Sequence, residues 1–319
     1  MLVLSDCPER LAGLVRGEDG SATPVDSLPS VDRALWLALG GGDRVWRGTA
    51  PDPFGSWSCA VVVEEAPCSQ FDSLRRSLEA GLEFAGPTAC LALTGRGFRG
   101  QRGRPWVSAP GNLHLCVVLP DPGVAARDAG SLPMLPAVAL VDAVRAMSGG
   151  TVRAGIKWVN DVVVEGHKVG GVLTATRTRA DRIDSILFGI GLNVATAPPV
   201  PPTPFVPAVA CLAEAGVAAT WAGATSAVLE ALARRMGAFV RDGPTGVLEA
   251  YRDASVVIGR EVFVFPDPEH DAPPVGRRPS PLLRGIVRGI GADLSLVLEG
   301  VEAPVVRGRL AFSEDCTRP

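Results

Sequence analysis

Lysine and asparagine are almost missing from this chain of 319 residues: of 31 basic residues only Lys157 and Lys168 are lysines, and the asparagines are Asn112, Asn160 and Asn193. Both residue types have A-rich codons, so their scarcity beside abundant Ala, Gly, Pro and Arg reflects a GC-rich genome. The five survivors are therefore the positions to read first. Long apolar runs are also lacking. No uncharged apolar segment reaches the roughly 18 residues a membrane span needs, and MLVLSDCPER has no basic stretch followed by an apolar core. A soluble, cytoplasmic protein without membrane attachment is expected. C-x-x-C pairs are absent, and the seven cysteines (Cys7, Cys59, Cys68, Cys90, Cys116, Cys211, Cys316) are odd in number and scattered. That supports neither a disulfide framework nor a zinc site. A large excess of one charge is missing as well: the net charge is -3, which excludes a protein whose main task is gripping a polyanion or an anionic membrane. With 47% apolar residues the chain has ample material for a core.

Residues 1–56 alternate short apolar runs with Gly, Pro and Asp, and VDRALWLALG (31–40) is their one clear helical stretch. No pair of helices around a short Gly turn is legible there, so a helix-turn-helix module, repressor function and a nucleic-acid partner are not expected. From residue 58 the pattern firms up. SCAVVVEE reads as a strand, FDSLRRSLEAGLEF as an amphipathic helix, TACLAL and NLHLCVVL as strands, and LPAVALVDAVRAM as a buried helix ending at Gly149 and Gly150. TVRAGIKWVNDVVV, HKVGGVLTAT and SILFGIGLNV follow as three strand-like runs in meander order, with a turn at Glu165 and Gly166. The sheet is thus expected to be mixed and largely antiparallel. The prolines of 196–207 dictate a loop, and two helical stretches follow. After Val257 the texture becomes short strands with Gly or Pro turns, which reads as a small closed barrel. The expected division is an N-terminal extension of unassigned role over 1–56, a catalytic domain over 57–256 and a small β domain over 257–319.

Chemistry concentrates in four places. Between residues 95 and 106 there are four glycines and four arginines, so backbone can approach a ligand while Arg96, Arg99, Arg102 and Arg104 offer forked donors to phosphate or carboxylate. A solvated basic loop or an Arg/Gly RNA-binding tract is the plainer alternative. The flanking apolar strands and the closing Trp106 favour a functional loop held by a scaffold. It matches neither the G-x-x-x-x-G-K-[ST] phosphate loop nor a dinucleotide fingerprint. Lys157 sits on an apolar strand between Ile156 and Trp158. It is either an edge-strand surface lysine or a buried point charge paired with an anion, and its retention in so arginine-rich a chain favours the second. Asn160 and Asp161 open the following turn. Asn193 ends a strand beside two glycines, where its amide suits an adenine edge or caps a turn. Lys168 and Asn112 read as a surface residue and a turn residue.

In order and spacing these segments resemble the biotin protein ligases. That family's pattern runs S-T-N, then A-x-x-Q-x-x-G-R-G-R-x-G-R-x-W-x-S-P-x-G-N-L, K-W-P-N-D, K-x-x-G-I-L and G-I-G-x-N-V. Here it aligns without a gap as ALTGRGFRGQRGRPWVSAPGNL (92–113), then KWVND (157–161), KVGGVL (168–173) and GIGLNV (189–194). The likeness covers about residues 58–313. It implies an α+β fold, with a mixed sheet carrying helices on one face, related to class II aminoacyl-tRNA synthetase cores, and a C-terminal SH3-like barrel. It further implies ATP-dependent formation of biotinyl-5′-AMP, with Mg2+, and transfer of biotin to one lysine of a biotin carboxyl carrier domain of a carboxylase. A homodimer is compatible with the family.

By that resemblance Lys157 and Arg99 are catalytic. Gly100, Gln101, Arg102, Arg104 and Trp106 belong to the loop over the acyl-adenylate, Gly171 and Leu173 border biotin, and Asn160, Asp161 and Asn193 serve ATP. No resident metal site is implied. The sequence departs from the pattern at the biotin end. The family's biotin-facing glutamine is Gly95, its first loop glycine is Phe98, its S-T-N is best matched by Cys68, Ser69 and Gln70, and the proline of K-W-P-N-D is Val159. A three-residue gap would align Gly95 and Arg96 with the family's Gly-Arg instead; the ungapped register needs no insertion. The adenylate half is thus expected intact and the biotin half altered. Two alternatives remain: a lipoate or octanoate protein ligase on the same fold, and a catalytically quiet protein that binds biotin or an acyl-adenylate.

Overall fold

The computed structural model describes residues 1–11, 20–49, 57–267 and 280–316. Two sheets organise it. Ten strands form the larger one, in the order β2-β3-β1-β4-β5-β6-β10-β9-β8-β7. They are β1 (Leu2–Ser5), β2 (Gly20–Pro24), β3 (Arg44–Thr49), β4 (Cys59–Ala66), β5 (Thr88–Gly95), β6 (Leu113–Pro120), β7 (Ala154–Lys157), β8 (Asp161–Val164), β9 (His167–Arg179) and β10 (Arg182–Leu192). The β1/β4 and β4/β5 pairs are parallel and the remaining pairs are antiparallel, so the sheet is mixed and largely antiparallel.

Helices lie on both faces, where one had been expected. On one face α3 (Met134–Met147), α4 (Trp221–Asp242) and α5 (Thr245–Ala254) enclose a core with Val62, Leu91, Leu115 and Phe188. On the other, α1 (Ser30–Ala38) and α2 (Gln70–Glu79) pack over Val61, Val63, Cys90 and Leu187. The alternation of Val61 and Val63 against Val62 is the two-residue period of a strand buried on both sides, which is why β4 reads as an unbroken apolar run. α3 is apolar almost all round because it sits between the sheet and α4. Its one acid, Asp142, is held by Arg235 of α4 through bonds of 2.7 and 3.1 Å. α2 begins at Ser69, whose Oγ accepts the Asp72 N–H at 3.3 Å, the expected N-cap bond.

Several expectations change. Strands β1, β2 and β3 extend the main sheet beyond β4, so these three strands belong to the same layer, and the division expected at residue 57 falls between hydrogen-bonded strands. Their short runs were hard to read because β1 is only four residues long and draws its partners from segments far along the chain. TVRAGIKWVNDVVV is two strands, β7 and β8, folded on each other at residues 158–160. The Trp158–Val159 peptide, at the family's Trp-Pro position, is cis. The C-terminal sheet comprises β11 (Glu261–Phe265), β12 (Leu283–Ile290), β13 (Leu296–Leu298) and β14 (Arg309–Phe312), followed by the short helix α6 (Ser313–Cys316). Its order is β13-β12-β11-β14, an open antiparallel series among the described residues, where a closed barrel had been expected. It is fastened to the main body by Trp158 Nε1 donating to the Leu294 carbonyl at 2.7 Å and by Arg252 donating to Ile290.

Candidate active site

A cavity of about 370 Å3 opens on the α2 face of the sheet. α1 and α2 cover only part of this face. The strip of β9 and β10 beyond them carries Gly171, Gly189 and Gly191, and aromatic rings take the space their missing side chains leave. A Cβ on Gly189 would stand 2.8 Å from Phe71, and one on Gly191 would stand 2.6 Å from Trp106 Cε2. Such distances forbid any side chain there without displacing a ring.

The roof is the Gly/Arg segment, which is a folded hairpin and not a loose tract. Gly100 N–H donates to the Arg104 carbonyl at 2.7 Å and Trp106 N–H to the Phe98 carbonyl at 2.9 Å. Two positive φ angles close its tip, 59° at Arg102 and 70° at Gly103. Arg99, Gly100, Gln101, Arg104 and Trp106 line the cavity. Arg104 is steadied by Gln101, its Nε donating to the Gln101 carbonyl at 3.0 Å. Arg102 pairs with Asp267, just beyond β11, and is not among the residues that line the cavity. Arg96 likewise leaves the cavity and pairs with Glu65 at 2.6 Å.

Ser69, Gln70, Phe98 and Leu173 also line the cavity. Gly95 lies behind Phe98 outside the lining, and Cys68 is exposed, its Sγ 3.3 Å from Ser73 Oγ. These two expected contact positions are therefore not brought to the cavity. Asn160, Asp161, Gly171 and Asn193 line it as well. Asn160 spends one amide N–H on the Val172 carbonyl at 2.8 Å, which fixes the β7–β8 turn. Asn193 gives one N–H to the Ala210 carbonyl at 3.0 Å, while its Oδ1 has no partner among the described residues. An acceptor and a second amide N–H thus remain for a ligand edge. Trp106 Nε1 and Gln70 Nε2 are also buried without partners among the described residues. Unpaired buried polar atoms are costly, and their gathering around one cavity marks it as built for a polar ligand.

Lys157 is buried, as its apolar strand demanded, but it faces an adjoining cavity of about 430 Å3. Its Nζ donates to the Phe205 carbonyl at 2.6 Å and lies 5.0 Å from the Phe312 ring. Burial pulls its pKa down to about 8, with Asp161 and Asp315 opposing, so the ammonium is retained at neutral pH. Asp161, Lys168 and Val206, the last from the proline-rich loop, line both cavities.

Four residues were missed by sequence reasoning. Lys168, expected at the surface, pairs with Asp161 at 2.6 Å and lies 5.7 Å from the Trp106 ring; its rarity was the available signal. Asn112, expected in a turn, is fully buried. Its Oδ1 accepts the N–H groups of Val194, Ala195 and Thr196 at 3.0 to 3.1 Å, locking the turn after β10. His114 stands on the cavity wall, 3.1 Å from Ser108 Oγ, and burial pushes its pKa down to about 4, so the ring is neutral. Arg309 comes from β14 of the C-terminal sheet and rests 3.5 Å from the Phe205 ring. No local pattern distinguished it from the other arginines.

Comparison with known proteins agrees with this geometry. Residues 76–193 match the Biotin/lipoate A/B protein ligase family. The biotin--[acetyl-CoA-carboxylase] ligase of Paracoccus denitrificans is 40% identical over 100 residues, which are 31% of this chain and 41% of that protein. A bifunctional ligase/repressor of Bacillus subtilis is 34% identical over 100 residues, 31% of this chain and 30% of that protein. The matched segment thus spans well under half of these curated relatives. In fold, the biotin protein ligase of Aquifex aeolicus, solved with biotin and ATP, superposes with a TM-score of 0.60 at 19% identity, covering 79% of this chain and 97% of that one. A biotin protein ligase-like protein of unknown function from Silicibacter gives 0.53 at 18% identity, covering 81% and 96%. The motifs and much of the cavity they line thus lie in the segment, residues 76–193, that is similar to the Biotin/lipoate A/B protein ligase family.

Proposed function

We propose that this protein is an ATP-dependent biotin protein ligase. The observation that carries the reading is one cavity whose lining combines the cations Arg99, Arg104 and Lys168 with the amide of Asn193 and with the uncharged Gln70 and Phe98. In the first step a biotin carboxylate oxygen attacks the α-phosphorus of ATP, the bond to the β-phosphate oxygen breaks and pyrophosphate leaves. In the second, the ε-amine of a carrier lysine attacks the acyl carbon, AMP leaves and the amine gives up a proton to solvent. Both steps need charge stabilisation and alignment more than a dedicated base. Arg99 and Arg104 are placed to hold phosphate oxygens, and Asn193 presents its free acceptor to the adenine amino group. Lys157 reaches the α-phosphate when the Phe205 carbonyl gives way to a phosphate oxygen.

Mg2+ would travel with the triphosphate. Among the described residues Asp161 is the one carboxylate lining the cavity, and they contain no cluster of three metal-binding groups. That suits an ion held chiefly by phosphates and water, for which it would neutralise the leaving pyrophosphate. A biotin carboxyl carrier domain is the acceptor this reading calls for.

The test is exchange of labelled pyrophosphate into ATP. Exchange that depends on biotin, and that Lys157→Ala abolishes while the protein stays folded, is the expected result. Exchange with lipoate alone moves the assignment to the sibling ligases. No exchange with either acid overturns it.

A further inference from the structure

Lys157 faces away from the cavity in which the ligase reading needs it. It lines the second cavity and not the first, although Asp161, Lys168 and Val206 line both, so the two adjoin. What keeps it there is slight. Among the described residues its one hydrogen bond goes to a neutral acceptor, the Phe205 carbonyl at 2.6 Å, and its Nζ lies 5.0 Å from the centroid of the Phe312 ring. An ammonium has three donors, and one that is 5% exposed is costly to bury with a lone carbonyl in contact. Lys157 therefore occupies a resting position, from which an anionic oxygen would draw it.

The Phe205 carbonyl is itself held through its side chain. Residues 203–206 form a tight turn: Thr203 N–H donates to the Val206 carbonyl at 2.9 Å and Val206 N–H to the Thr203 carbonyl at 3.1 Å. The Phe205 ring in this turn is held by two residues of the C-terminal sheet. The Phe265 ring meets it edge-on, with centroids 5.2 Å apart and planes at 89°, and the Arg309 guanidinium lies 3.5 Å from its centroid. Arg309 is the movable half of that clamp. It lines the first cavity, and its Nε is buried without a hydrogen-bond partner among the described residues. An aromatic face is a weaker partner for a guanidinium than a phosphate oxygen, which accepts charge-assisted, forked bonds. Phosphate in the first cavity would thus take Arg309 from Phe205, and the ring would lose the partner that fixes the carbonyl against Lys157.

We propose that Phe205 is a positioning residue for Lys157: in the empty site it parks the ammonium in the second cavity, and nucleotide phosphate releases it by drawing Arg309 off the Phe205 ring. Arg309 senses the nucleotide, Phe205 transmits the change, and Lys157 swings to the α-phosphate. Lys157 then enters the first cavity only when a phosphate is there to pair with it, so no further cation crowds Arg99, Arg104 and Lys168 while the site is empty. This inference rests on the ligase reading above, which brings Lys157 to the α-phosphate.

The scarcity of lysine makes the test clean. With Lys157 and Lys168 the only lysines, protein labelled with 13C at the lysine ε-carbon gives one correlation signal for each, and Lys157→Arg assigns them. The Lys157 ε-protons are expected upfield in the empty protein, beside the Phe312 ring. They should move downfield on saturation with Mg2+ and an ATP analogue whose α- and β-phosphorus are joined by a methylene, which binds but cannot be cleaved there. Phe205→Leu keeps an apolar side chain and offers Arg309 no aromatic face. Its empty-state signal should already lie partway to the loaded position, leaving less than half of the wild-type displacement, and Phe205→Tyr, which restores the face, should recover the rest. A side chain that served stability alone would lower Tm without moving the empty-state signal. Arg309→Ala removes the other half of the clamp and should shift the empty-state signal the same way, so a failure of one variant to fold does not remove the test. A wild-type Lys157 signal that stays upfield with the analogue bound overturns the proposal, as does an empty-state signal at the wild-type position in both Phe205→Leu and Arg309→Ala. Calorimetry with the same analogue separates the two claims. A protein that binds none of it overturns the ligase reading and this inference together. One that exchanges pyrophosphate with biotin while the Lys157 signal stays in place refutes this inference alone, and one whose Lys157 moves but that catalyses no exchange refutes the ligase reading alone.

Discussion

At the scale of single residues, the rare side chains divide into those that meet a ligand and those that hold the site together. Asn112 is of the second kind. Three backbone N–H groups converge on its Oδ1, and Asn112→Ala would leave the N–H of buried Val194 without an acceptor while those of exposed Ala195 and Thr196 turn to water. The expected loss is about 2 kcal/mol in urea unfolding, on the basis of about 1 to 3 kcal/mol for an orphaned buried group. His114 makes stability depend on pH. Its folded pKa near 4 is below the unfolded value near 6.5, so the unfolded chain binds the extra proton first as pH falls. Its contribution is whole above pH 6.5 and is lost progressively toward pH 4. Between pH 7 and pH 5 the loss is about 2 kcal/mol, and in His114→Asn that part of the pH slope should vanish. Composition pointed to Asn112 as a position of interest, but turn chemistry alone suggested the wrong task. Only the fold brings residues 194–196 to it.

At the scale of elements, long periodic segments were legible: α2, α3, α4 and the strands β4, β5, β6 and β10 lie close to where their periods placed them. The four-residue strands were not, because a short strand is defined by its partner more than by its own residues. The Gly/Arg hairpin and β10 meet where Trp106 lies over Gly191. Gly191→Ala would press a methyl carbon to 2.6 Å from the indole and lift the ring from the cavity floor. The expected outcome is a KM for ATP raised about tenfold with a small change in Tm, since the cost falls on the cavity and a displaced surface ring more than on the core. The residues carrying the hairpin were readable from the sequence. That Arg99 and Arg104 point inward while Arg96 and Arg102 pair with Glu65 and Asp267 was not, because the direction of each arginine depends on acids 31 or more positions away.

At the scale of the whole molecule, the two sheets share the site. Arg309 belongs to the C-terminal sheet and lines the cavity beside residues of the main one. Burial brings its pKa down to about 10, so it remains cationic at neutral pH. Arg309→Ala should raise the KM for ATP about tenfold and leave biotin binding without ATP unchanged; equal effects on both ligands would place it elsewhere. Sequence separation concealed this contribution, as it concealed the joining of β1, β2 and β3 to the main sheet. The central claim is that one cavity joins an acyl group to the AMP of ATP. Native mass spectrometry after incubation with biotin and MgATP measures that directly. The account predicts one equivalent of retained biotinyl-5′-AMP per chain, and no added mass when biotin or ATP is withheld. Recovery of unreacted ATP and biotin, bound or free, with no acyl-adenylate would contradict it.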